Sequence, residues 1–142
     1  MLFRSALIDG MHLFEFALRD FIHIERCSVP GTRVLLHDCY PLDAATAARE
    51  RRTNFWTGDV WKVVACLRKH RPDLDVRTLA SPPSGLTVVR GLDARSEVLA
   101  SRYDELCREY VPMPYEAIAA DKPAALNLVP GDWKTARALL RG

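Results

Sequence analysis

The sequence predicts an α/β fold built on parallel strands that are buried on both faces. Two observations carry that expectation. Ala6-Leu7-Ile8-Asp9-Gly10-Met11-His12 and Val34-Leu35-Leu36-His37-Asp38-Cys39-Tyr40-Pro41 are each an apolar run that ends abruptly in ionisable groups. A short apolar run of this kind is the signature of a strand covered on both sides. A helix-length stretch separates the two runs, which makes a βαβ unit. Ligands of open α/β sheets sit beyond the carboxyl ends of such strands. Asp9, His12, His37 and Asp38 therefore mark where a site is expected.

The elements follow in order. Phe3–Asp9 reads as the first strand, and Gly10 allows the turn after it. From Leu13 to about Cys27, Phe14, Ala17, Leu18, Phe21, Ile22 and Ile24 recur at the spacing of a buried helical stripe. Pro30-Gly31 turns the chain, and Thr32–Leu36 reads as the second strand. Asp43 can cap a short surface or lid helix over Ala44–Arg52. Thr57 or Asp59 can cap the next helix, which carries Val60, Val63, Val64 and Leu67 and runs to about His70, before Pro72. Val76–Ala80 and Leu86–Arg90 are two more strands. Asp93 can cap a helix to about Tyr110, with Val98, Leu99, Tyr103, Leu106 and Cys107 on one side. Pro112-Met113-Pro114 breaks it, leaving the short pieces Tyr115–Ala120 and Asp132–Leu140. There is no internal repeat and no low-complexity tract.

Composition bounds the function. With 49% hydrophobic and 27% charged residues, the 142-residue chain is ordinary globular material, one domain with an appendage. A formal net charge of +2 is too small to imply a nucleic-acid partner. Cys27, Cys39, Cys66 and Cys107 contain no C-x-x-C pair, which argues against a zinc ribbon or redox motif. No stretch approaches the roughly 18 apolar residues of a membrane span, and no signal-peptide pattern stands at the start. Reduced thiols in the cytoplasm are the expectation.

Asp9 and Asp38 end adjacent strands, so their carboxylates are expected close together; each can also simply order its own turn. His12 and His37 can take a proton near neutral pH, or donate to a loop carbonyl and do no chemistry. The mixed set Asp9, His12, His37 and Asp38 also suits a borderline metal such as zinc or iron. Tyr40, Trp56 and Trp61 cluster after the second strand, where they can wall an acceptor pocket or pack a lid. Thr57-Gly58-Asp59 looks like a helix start whose amides can receive an anion or serve as a cap. On this reading Tyr40, Trp56, Asp59 and Trp61 are the substrate-binding candidates. His23 and His70 fall on helices, with surface roles expected.

IDGxH after one strand, and a Leu-rich run closing on His37-Asp38 after the next, resemble the class I S-adenosylmethionine-dependent methyltransferases, specifically the second half of that fold. Residues 1–93 match it in order, as a partial Rossmann-like domain, and residues 94–142 form a helical C-terminal extension. Val76–Ala80 and Leu86–Arg90, joined by Ser81-Pro82-Pro83-Ser84-Gly85, match the closing antiparallel pair. Asn54-Phe55-Trp56-Thr57-Gly58-Asp59-Val60-Trp61, with Leu92-Asp93 after the last strand, adds a likeness to a small-molecule subgroup. The resemblance implies the family's sheet order 4-5-7-6 with strand 7 antiparallel. It also implies methyl transfer from S-adenosylmethionine to a small-molecule acceptor, at oxygen, with His37 or His12 taking the acceptor proton and Asp9 and Asp38 orienting the site. In metal-dependent O-methyltransferases an acid after each of these strands, with an Asn next to the second, holds magnesium. Asp9 and Asp38 match the two acids, and Cys39 stands where the Asn would be.

The departure matters as much. The seven glycines, Gly10, Gly31, Gly58, Gly85, Gly91, Gly131 and Gly142, make no G-x-G, so the cradle for the cofactor's methionine end is absent. The expectation is a fragment of a longer enzyme, or a truncated descendant inactive by itself. The alternatives are a non-catalytic dimerisation or binding module and a small metal-dependent hydrolase. With no first half to cover one sheet face, a homodimer, or a tendency to aggregate, through that face or the first-strand edge is expected, the alternative being that the tail folds over it.

Overall fold

Strand β1 (Phe3–Ile8) and strand β2 (Ser28–His37) pair in parallel, with Ala6, Leu7 and Ile8 beside Val34, Leu35 and Leu36. The computed structural model describes residues 3–141. Helix α1 (Phe14–Arg26) connects the two strands. β2 starts earlier than its apolar run, at Ser28, and its register against β1 shifts between Phe3 and Ser5 as the chain passes Pro30-Gly31. Helix α2 (Trp61–His70) leads to the hairpin of β3 (Asp75–Leu79) and β4 (Leu86–Arg90). β4 inserts between β2 and β3, antiparallel to both. The final strand, β5 (Leu128–Val129), lies parallel to β3, so the sheet runs β1-β2-β4-β3-β5. The result is a mixed α/β architecture around one five-stranded mixed sheet.

The sequence places the first four strands to within a few residues. Two helices come out differently. Ala44–Arg52 is a set of turns, not a lid helix. Asp43 Oδ1 accepts from the Thr46 amide at 2.8 Å and Thr46 Oγ1 accepts from the Asp43 amide at 3.1 Å, so local side-chain bonds close a turn that competes with a helix. The long helix expected from Asp93 is also shorter. Turns occupy residues 94–102, and α3 is confined to Tyr103–Tyr110. Asp93 Oδ1 accepts from Arg95 N at 3.0 Å, a tight local turn.

The core lies on one face of the sheet. Ile8, Val34, Leu36, Val76 and Val89 point into it from the strands. Phe14, Leu18 and Phe21 of α1, Trp61, Val64 and Leu67 of α2, and Leu106 and Tyr110 of α3 complete it. Burial of such side chains is the main stabilising contribution. The face expected to be bare is covered at one end: Leu139 and Ala136 of α6 (Trp133–Leu140) pack on Leu79 and Val88. At the other end Leu7 remains 60% exposed. Between α3 and α6 lie the one-turn helices α4 (Glu116–Ala119) and α5 (Lys122–Ala125). Asn127, at φ 49°, joins the tail to the sheet by donating from Nδ2 to Val76 O at 2.7 Å. No helix among the described residues is long and apolar enough to cross a membrane.

Candidate functional site

The parallel pairing of β1 and β2 brings their carboxyl ends side by side, and the four ionisable residues expected there do meet. Asp9 follows β1 directly, and Asp38 follows β2. His37 Nδ1 stands 3.1 Å from Asp9 Oδ1 and 3.3 Å from Asp38 Oδ2. His12 Nδ1 stands 3.1 Å from Asp38 Oδ2, and its Nε2 is 3.7 Å from Asp9 Oδ1. The short contact of His12 with Asp38 is not aligned as a hydrogen bond, and Nδ1 is buried without a hydrogen-bond partner among the described residues. Asp38 is buried, His12 and His37 half-buried, and Asp9 exposed, so the cluster opens outward on the Asp9 side.

Backbone geometry holds two of the four in place. His12 has φ 56° and Asp38 has φ 57°. Neither is glycine, and side-chain-bearing residues seldom adopt this left-handed region. Gly58 approaches His12 from behind: a Cβ at Gly58 would lie 1.9 Å from His12 O. The same carbonyl accepts from Asp59 N at 3.0 Å. Only glycine fits that close approach, at a φ of 62°. Trp56 fixes the His12 ring, stacking on it at 5.4 Å between centroids and 10° between planes. Trp56 is held in turn, its Nε1 donating to Ala48 O at 2.6 Å.

Asp38 is fixed by a residue that the sequence did not single out. Ser84, buried in the β3–β4 turn, donates from Oγ to Asp38 Oδ1. Its carbonyl accepts from Tyr40 N at 2.7 Å. The hairpin thus clamps the loop after β2. The only signal for this in the sequence was the compact Ser-Pro-Pro-Ser-Gly turn, which says nothing of a partner 46 residues away.

The remaining candidates are placed apart. Cys39 faces the interior and donates from Sγ to Leu36 O at 3.3 Å; burial pushes its thiol up to about 12. Asp59 is wholly buried. Its Oδ1 accepts from Phe14 N at 2.7 Å, while Oδ2 meets Arg49 Nη1 at 2.8 Å and Lys62 Nζ at 2.9 Å. Arg49 extends the network to Glu15 at 2.7 Å, and this guanidinium holds the Glu15 carboxyl below its ordinary range. Trp61 is wholly buried in the core. Tyr40 lies under Lys122 Nζ at 4.5 Å from the ring centre. Of the four substrate-binding candidates, Trp56 alone has a ring contact with the Asp–His cluster among those described. Beside the cluster a shallow hollow of about 500 Å³ is lined by Leu7, Asp9, Asp20 and His23.

Comparisons with protein-family models, with curated proteins and with solved structures give no match.

Proposed function

We propose that the chain carries the acceptor side of an S-adenosylmethionine-dependent methyltransferase, moving a methyl group to the hydroxyl of a small molecule. The observation that carries this reading is the placement of the Asp–His cluster at the carboxyl ends of a parallel pair, in a sheet whose first four strands run β1-β2-β4-β3 with β4 antiparallel. That order coincides with the order 4-5-7-6 of the family's second half.

The proton-handling part follows from distances. The Asp9 carboxylate beside His37 Nδ1 favours the tautomer with the proton on that nitrogen. Nε2 is then the lone pair that accepts a proton from an acceptor hydroxyl. Asp38 lies 3.3 Å from the same ring and steadies the cation that forms. His12, pinned between Trp56 and Asp38, is the second group in reach. The cofactor does not fit the residues present. No G-x-G occurs in the sequence, and the glycines that precede helices, Gly10 and Gly58, stand in single-glycine turns. No residue here is assigned to S-adenosylmethionine, and no step is routed through it.

The test is transfer of labelled methyl from S-adenosylmethionine to a panel of phenolic and aliphatic hydroxyl compounds. The chain is assayed alone and fused behind a cofactor-binding first half of a class I methyltransferase. Expected are no detectable cofactor binding by the chain alone in titration calorimetry, and label transfer by the fusion. His37→Ala in the fusion should lower turnover by about 100- to 10,000-fold. A folded fusion that transfers no label overturns the reading.

A second reading rests on one observation. Leu7 is 60% exposed on the sheet face beyond the reach of α6, and among the described residues β1 has no strand on its outer side. A binding module, pairing with a second copy through that edge, accounts for both.

A further inference from the structure

The magnesium site that the resemblance implies does not fit the donors in this chain. Mg²⁺ wants oxygen ligands in near-octahedral array. The position matching the family's Asn is Cys39, and its wholly buried thiol is turned into the core, donating to Leu36 O. A nitrogen stands in the cluster instead. One donor atom from each of Asp9, His12 and Asp38 lies within 4.8 Å of the others.

We propose that Asp9, His12 and Asp38 form a binding site for a borderline divalent cation of the zinc or iron(II) class, and not for magnesium. Four features of the cluster support this. The first is spacing. His12 Nδ1 and Asp38 Oδ2 are 3.1 Å apart, and His12 Nε2 and Asp9 Oδ1 are 3.7 Å apart. These are two different ring nitrogens, and an ion takes one of them. One donor atom from each residue lies within 4.8 Å of the others, against the about 3.0–3.4 Å between adjacent donors at bonds of about 2.0–2.1 Å, so side-chain rotation draws the set onto one ion. The second is charge: two carboxylates balance a divalent ion. The third is the state of His12. Its Nδ1 is buried and makes no hydrogen bond among the described residues, a costly arrangement unless a further group completes it. The fourth is support around the donors. Ser84 holds Asp38, Trp56 stacks on His12, and both backbones are locked in the left-handed region, which is the fixing of ligands that a metal centre requires. Imidazole selects for zinc, iron, nickel and copper over magnesium. An ion there would polarise an acceptor hydroxyl. His37, more exposed than His12, is left beside it to hold the proton.

This inference does not depend on methyl transfer, because it is read on the 142-residue chain by binding alone. Zn²⁺, Fe²⁺ under anaerobic conditions, Co²⁺ and Mg²⁺ are titrated separately into chelator-treated protein, with bound metal measured after dialysis. Expected are one Zn²⁺ or Fe²⁺ per chain, undisplaced by an excess of Mg²⁺ of about 100-fold. Co²⁺ should give visible bands without a thiolate charge-transfer band. His12→Ala, Asp38→Asn and Asp9→Asn should each weaken zinc binding by at least about tenfold, and Ser84→Ala by a similar factor through Asp38. Cys39→Ala and His23→Ala should leave it unchanged. Circular dichroism on each variant confirms folding, and Asp9→Asn, at an exposed position, keeps the test open if a buried variant fails to fold. Failure to retain any of these ions overturns the proposal. So does a preference for Mg²⁺, a thiolate band, or zinc binding that His12→Ala and Asp9→Asn leave intact.

Discussion

The Asp59 carboxylate closes the N-terminus of α1, accepting the Phe14 backbone N–H at 2.7 Å from 45 residues away. Asp59 is wholly buried, so this bond and its ion pair with Lys62 are made away from water, while Arg49 reaches it from a part-exposed position. One side chain therefore ties the first helix, the turn before α2 and the loop carrying Arg49 into a unit, directly behind His12.

Asp59→Ala is expected to destabilise the fold by about 3–5 kcal/mol, since it leaves a helix-terminal N–H unpaired and the buried Lys62 cation uncompensated. Urea unfolding followed by circular dichroism measures it. Asp59→Asn keeps the acceptor for Phe14 N and should cost less. An equal cost for the two variants would place the effect in the charges alone.

Acid should unfold the protein through carboxyls held below their ordinary values. Glu15 is lowered first by its hydrogen bond to Arg49, and Asp73 by its hydrogen bonds to Arg71. A carboxyl depressed in the folded state binds fewer protons there than in the unfolded chain. Its contribution is fully present above the unfolded value, and is lost as pH falls through that value to the folded one. Stability should therefore be flat near neutrality and decline from about pH 4.5 downward. Arg49→Met should flatten the decline. An unchanged acid limb in that variant would assign it to other groups.

Assembly through the β1 side should appear as a concentration-dependent dimer in sedimentation velocity at micromolar concentration. Burying apolar surface contributes roughly 25 cal/mol per Å², and Leu7 beside the outer edge of β1 is one such exposed side chain. Leu7→Lys should shift the equilibrium toward monomer. A monomer at every concentration would mean that α6 and the turns supply cover enough.

Much of this architecture was legible in the sequence, for physical reasons. β1 and β2 carry apolar runs, Ala6-Leu7-Ile8 and Val34-Leu35-Leu36, whose hydrophobicity demands burial, and the ionisable residues that stop them had nowhere to go but the strand ends; β3 and β4 showed as two short segments joined by a Pro-Pro turn. What escaped was tertiary. The Ala-rich stretch 44–52 has helical propensity, yet Asp43, Thr46 and the tether from Trp56 to Ala48 O hold it in turns. β5 is two residues long and has no periodicity to detect; it forms because β3 offers an open edge. Ser84 and Asp59 looked like a turn residue and a helix cap. Their partners, Asp38 and Phe14, are remote in the chain.

The left-handed backbone at His12 and Asp38 sets stability against chemistry at the same two positions. Glycine at either would relax the chain, and it would also delete a member of the cluster. The same exchange would also undo packing, since Asp38 accepts from Ser84 and the His12 ring stacks on Trp56.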